Sequence, residues 1–168
     1  SGMGRVTLRL AGAANGDLRA SSFAYFYSNA EFVLADGHTF SAAVLYNSGL
    51  IRGTGTVHAD LVNYAGGDVR VAAGEALVVS GGGHTNDGKF EVVNGSLEFV
   101  GPLFNNVGTG LIAGRGATLR FQGGLTNEGA MALSTGISDV HGDIANNGRV
   151  VLSGHATATF YDDVTNNG

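Results

Sequence analysis

The chain has 168 residues, 29 glycines, a single proline and no cysteine. This is enough for one ordinary domain, and the missing thiols exclude disulfides, thiolate catalysis and Cys-ligated zinc. A formal net charge of −5, with nine scattered basic residues and no basic stripe, argues against a nucleic-acid partner. Hydrophobic content of 43% excludes a charge-dominated disordered chain, and apolar runs of about four residues fall far short of the roughly 20 that span a bilayer, so no membrane insertion is expected.

In chain order, Ser1-Gly2-Met3-Gly4 reads as an appended leader, not a targeting segment. Residues 5–46 read as an N-terminal capping element together with first coils of a repeat array. Asn15-Gly16-Asp17 and Asn29 are early turn signals, and Phe23, Tyr25 and Tyr27 interleave with Ala24, Phe26 and Ser28, which puts aromatics on both faces of that segment. Residues 47–168 are regular coils of the same domain. Asn47, Asn63, Asn86, Asn105, Asn127, Asn146 and Asn166 each open a turn that closes on a glycine, and successive asparagines lie 16 to 23 residues apart. A fixed period near 20 residues is the signature of a repeat architecture.

Registered columns turn this period into a structure. The second residue after each turn glycine is Ile51, Val69, Phe90, Ile112, Met131 or Val150, and the fourth is Gly53, Val71, Val92, Gly114, Leu133 or Leu152. Counting back six from each Asn gives Val57, Ser80, Phe99, Phe121, Val140 and Phe160, while the position seven before gives Thr56, Val79, Glu98, Arg120, Asp139 and Thr159. This in–out alternation is that of strands with one buried face. Two before each Asn stand Leu61, His84, Leu103, Leu125, Ile144 and Val164. A 20-residue unit cannot bury such a face alone, but stacked units can. The pattern therefore predicts an all-β parallel β-solenoid of about eight coils, on the order of 40 Å long at the usual strand spacing. Phe99, Phe121, Val140 and Phe160 are expected in one interior column, and Glu98, Arg120 and Asp139 in an outward column of alternating charge.

The Asn-Asn-Gly turns, Gly148-Arg149-Val150-Val151-Leu152-Ser153-Gly154 and Gly114-Arg115-Gly116-Ala117-Thr118-Leu119 resemble the degenerate repeat region of secreted bacterial β-solenoid proteins: filamentous-haemagglutinin-like adhesins, autotransporter passengers and PEP-CTERM repeat proteins. The resemblance implies a right-handed β-helix, an extracellular or cell-surface location, and structural or adhesive duty.

Candidate chemistry is sparse. Stacked turn asparagines predict an amide ladder along the axis. Asp143, Asp162 and Asp163 are the weak candidates for a Ca²⁺ site, because a cation of this kind takes several carboxylate and carbonyl oxygens. No Gly-x-Ser-x-Gly elbow, phosphate loop or cofactor motif is present, so no cofactor and no catalytic residues are expected. The favoured function is a structural or adhesive module, with a glycan-binding or glycan-cleaving β-helix as the alternative. Expected partners are a surface glycan, and either a second copy end to end or the continuation of a longer array beyond Val164-Thr165-Asn166-Asn167-Gly168.

Overall fold

The computed structural model describes residues 5–12, 16–101 and 104–168. Over these residues the chain contains no helix, every strand pairing is parallel, and the strands wind into a β-solenoid of about eight coils. Each coil has three strands. In the fifth these are Lys89–Val93, Ser96–Val100 and Phe104–Asn106; in the sixth, Leu111–Arg115, Thr118–Phe121 and Leu125–Asn127. In the second and third coils they run together as Ala30–Asn47 and Leu50–Asn63.

The first strand of each coil follows the alternation in the sequence. Ile51, Val69, Phe90, Ile112 and Met131 pair in register and are buried. Gly114 occupies the neighbouring inward column because the side chain of Leu133 on the next coil fills the space its Cβ would take. Outward positions of this sheet carry charge: Arg70 binds Asp68 at 2.8 Å, and Lys89 binds Glu91 at 2.9 Å.

The second strand departs from the predicted register in two places. Val79, expected to face outward, is buried and pairs with both Val57 and Phe99, while Val78 and Ser80 are only half-buried. The Gly81-Gly82-Gly83 corner is one residue longer than counting back from Asn86 allows, so the strand shifts by one and its faces exchange. The second departure lies between Phe121 and Val140. Phe99 stacks on Phe121 with ring centres 5.8 Å apart, and Val140 pairs with Phe160, but Val140 lies opposite Leu119. Phe121 instead faces Gly142, where any Cβ would strike the Phe121 carbonyl. The four residues all point inward, but they form two columns offset by two residues. The same slip dissolves the predicted charge column: Glu98 pairs with Arg120, Arg120 pairs with His141, and Asp139 lies beside Thr118.

The third strand completes the core. Leu125 and Ile144 stack as expected. Leu103 lies outside the described residues, and Phe104 holds the position between His84 and Leu125. Phe90, Phe99, Phe104 and Phe121 make an aromatic centre with ring separations of 4.5 to 5.8 Å.

At the N-terminal end, Val6–Leu10, Asp17–Arg19 and Phe23–Phe26 pair with the second coil and form a first coil in register with the rest. Glu31, at the start of the second coil, bridges the first strands of the first and third coils. Its carboxylate accepts from Arg52 at 2.7 Å and Thr7 at 3.2 Å and lies 3.1 Å from Arg5. The Arg52 hydrogen bond is the largest influence holding the Glu31 carboxyl below its ordinary pKa.

Candidate functional site

The asparagine ladder runs the length of the regular coils. Each Nδ2 donates to the Oδ1 of the next coil: Asn47 to Asn63 at 2.7 Å, Asn63 to Asn86 at 2.7 Å, Asn86 to Asn106 at 2.8 Å, Asn106 to Asn127 at 2.7 Å, Asn127 to Asn146 at 2.6 Å and Asn146 to Asn166 at 2.6 Å. Six of the seven predicted positions belong to it. The fifth is corrected: Asn106 enters the ladder, and Asn105 lies beside Thr126, half-buried and outside it. The signal was present in the turn spacing. Asn106 to Gly110 repeats the four-residue spacing of Asn63 to Gly67, and both turns close with the glycine N–H donating at 2.7 Å to the residue after the asparagine, Val107 or Tyr64.

The turn glycines are not required by backbone conformation. Gly67, Gly88, Gly110 and Gly129 do not adopt positive φ; that conformation occurs at the other two corners, as at Gly74, Asn94, Gly116 and Thr135 between the first and second strands and Gly124 and Gly142 between the second and third. Space is what the ladder requires. A Cβ at Gly67 or Gly110 would overlap the amide of the preceding Asn and the backbone of the adjacent coil.

The lateral surface carries three side-chain groupings. The first is an open depression of about 620 Å³ at the second-to-third-strand corner, where Glu98, Arg120, His141, Asp143 and Asp162 converge. Gln122 donates to Glu98 at 2.5 Å, and His141 stacks on Tyr161 with ring centres 4.3 Å apart. Tyr161 donates to Asp139 at 3.2 Å, and this bond raises the pKa of its phenol. Two of the three predicted cation ligands have carboxylates engaged with backbone at this corner: Asp162 accepts from the Gly142 N–H at 2.7 Å, and Asp143 from the N–H of the third, Asp163, at 3.3 Å. Among the described residues, no three His, Cys, Asp or Glu side chains gather closely enough to hold a metal ion.

The second grouping is on the same corner, nearer the N-terminus. His58 Nδ1 lies 2.9 Å from Ser80 Oγ; His58 is exposed and Ser80 half-buried. This resembles a nucleophile–base pair without the third group that would orient the base. Asp60, the nearby acid, accepts from the Gly82 and Gly83 N–H groups and so braces the glycine corner.

The third is a stack of tyrosines beside the Asn turns. Tyr25 and Tyr46 are directly paired on neighbouring coils, with ring centres 4.4 Å apart and planes 13° from parallel. Tyr64 stacks on Tyr46 at 6.0 Å, and Tyr27 lies 6.1 Å from Tyr25. Desolvation, followed by the nearby hydroxyls of Tyr46, Tyr64 and Tyr27, pushes the Tyr25 phenol above its ordinary pKa.

One buried histidine is a core residue. His84, 1% exposed, accepts the Leu61 N–H at 3.2 Å through Nδ1 and packs on Phe99 at 5.2 Å. Its Nε2 has no hydrogen-bond partner among the described residues. Burial lowers its pKa, partly offset by Asp60 and the Val100 carbonyl.

No helix is long and apolar enough to cross a membrane among the described residues. The chain matches no protein-family model, no curated protein and no solved structure, so the architecture stands on its own geometry: a parallel β-solenoid braced by an asparagine ladder.

Proposed function

We propose that the chain is a rod-shaped structural or adhesive module of a secreted or cell-surface bacterial protein, without catalytic activity. The observation that carries this reading is the continuity of the ladder from Asn47 to Asn166, with every link between 2.6 and 2.8 Å. Polar groups that a binding cleft would present to a ligand are here spent on joining one coil to the next. The corner carboxylates Asp60, Asp143 and Asp162 likewise hold backbone N–H groups of neighbouring coils. A repeat array built from nearest-neighbour contacts gains stiffness and reach with each added coil, which suits a spacer or an adhesive stalk. In this reading, further coils or a second copy pair with the open edge of Val164–Asn166, whose other edge pairs with Ile144–Asn146.

A second reading, a glycan-binding or glycan-cleaving β-helix, is favoured by the acid-lined depression at Glu98, Asp143 and Asp162. The two are separated by a polysaccharide-degradation screen and a glycan array, each run with and without Ca²⁺. The structural reading expects no release of soluble sugar under any condition, and retention on a surface glycan without turnover supports its adhesive form. Release of oligosaccharides that is lost on Asp162→Asn overturns it in favour of the enzyme.

A further inference from the structure

We propose that Tyr25 and Tyr46 form an oxidative cross-linking site, at which the two rings are joined as an intramolecular dityrosine that staples the first coil to the second. Parallel pairing sets these two residues directly opposite each other, although 21 positions separate them in sequence. Their ring centres lie 4.4 Å apart, close to the separation of ring centres in a directly bonded biaryl. Tyr25 is 46% exposed, which leaves its ring room to turn from stacking toward edge-on coupling.

The rest of the chain directs oxidation to this place. There is no cysteine or tryptophan, and of the two methionines Met131 is completely buried while Met3 lies outside the described residues. Four of the five tyrosines, Tyr25, Tyr27, Tyr46 and Tyr64, belong to this one cluster. Tyr27, 68% exposed, is the outermost and presents its phenol to an oxidant. A radical formed there lies within 6.1 Å of Tyr25, and one formed on Tyr64 within 6.0 Å of Tyr46. The stacked faces of Tyr25 and Tyr46 cover each other, so the pair is better placed for coupling than for presenting an open ring face to a sugar.

The chemistry balances with hydrogen peroxide and a haem peroxidase as the oxidant. Each phenol gives up one electron and its O–H proton, leaving two phenoxyl radicals. These join through a carbon–carbon bond between the positions ortho to oxygen. Each ring then moves the proton on its newly bonded carbon to its oxygen and recovers aromaticity. The two electrons and two protons released reduce one hydrogen peroxide to two waters. The product closes a covalent loop in a chain without disulfides and restricts the unfolded state as a disulfide would.

The test treats the full chain, at low concentration, with horseradish peroxidase and hydrogen peroxide. Blue dityrosine fluorescence is expected in the monomer fraction, with mass spectrometry of proteolytic fragments showing a Tyr25–Tyr46 cross-link. Tyr25→Phe and Tyr46→Phe, which keep a ring in the stack, are expected to lose the intramolecular product, and Tyr161→Phe to retain it. Slower amide exchange over residues 6–26 after oxidation is the expected physical consequence. Dityrosine confined to dimers, a cross-link mapped to other tyrosines, an undiminished yield in Tyr46→Phe, or no dityrosine at all overturns the proposal.

Discussion

Asn86 Nδ2 donates to Asn106 Oδ1 at 2.8 Å across neighbouring coils, while Asn105, one residue earlier, pairs across the sheet with Thr85 and Thr126 and takes no part in the ladder. Two chemically identical side chains, adjacent in sequence, thus have opposite roles. The difference follows from facing: side chains of successive strand residues point to opposite faces, and only the inward one meets the amides above and below it.

This contrast gives the first prediction. Asn106→Ala leaves the Asn86 amide without its acceptor and the Asn127 oxygen without its donor in a buried setting. A loss of about 1–3 kcal/mol is expected, the range for orphaning a buried hydrogen-bonding group. Asn105→Ala is expected to fall within about 0.5 kcal/mol of the parent, as surface changes do. Denaturant titrations of the two variants decide it; equal losses would remove the ladder from the account of stability.

Glycines in the two kinds of corner are expected to fail for different reasons. At Gly129 an added Cβ would overlap the Gly110 and Val107 carbonyl oxygens and the Asn106 amide, so Gly129→Ala must push two coils apart. Gly74 has open space around its Cβ position but a φ of 76°. There Gly74→Ala bears only the left-handed backbone penalty, about 1–2 kcal/mol, and Gly74→Asn is expected to recover part of it because Asn tolerates that region. A comparison of melting temperatures tests this: Gly129→Ala should fall well below both Gly74 variants.

His84 makes stability depend on pH in a fixed direction. Its folded pKa is lowered by burial, so the unfolded state binds the proton more readily. The stability it supports is complete above the ordinary histidine pKa of about 6.5 and is lost as pH falls from there through the lowered folded value. Thermal melts between neutral and mildly acidic pH are expected to show this decline, and His84→Leu to flatten it. The substitution also removes the acceptor for the Leu61 N–H, so its melting point at neutral pH is expected below that of the parent. An unchanged acid slope in the variant would place the titration elsewhere.

Calcium is expected to leave the melting temperature unchanged. Asp143 and Asp162 already accept backbone N–H groups from their neighbours, and a cation would have to compete for those oxygens. A bound ion stabilises in proportion to RT ln(1 + [L]/Kd), so millimolar Ca²⁺ at a real site raises the transition visibly. A rise abolished by Asp162→Asn would establish a cation site at this corner.

The architecture is legible in local sequence pattern. The Asn-to-Gly period and the apolar columns at Ile51, Val69, Phe90, Ile112 and Met131 are local quantities, and they force a stacked parallel coil because no single 20-residue unit can bury its inward face. The register at the corners, and everything that depends on it, comes from how the coils stack. Val79 faces inward, and Val140 meets Leu119 in place of Phe121, because Gly81-Gly82-Gly83 and Gly142 lengthen or shorten the path between strands. A one-residue change there exchanges the faces of a strand, and counting from the nearest Asn cannot reveal how many corner residues the stacked neighbour will admit. The lateral groupings follow the same rule. Tyr25 meets Tyr46, His58 meets Ser80, and Asp162 meets Gly142 only across coils, so each pair is set by how one coil seats on the next.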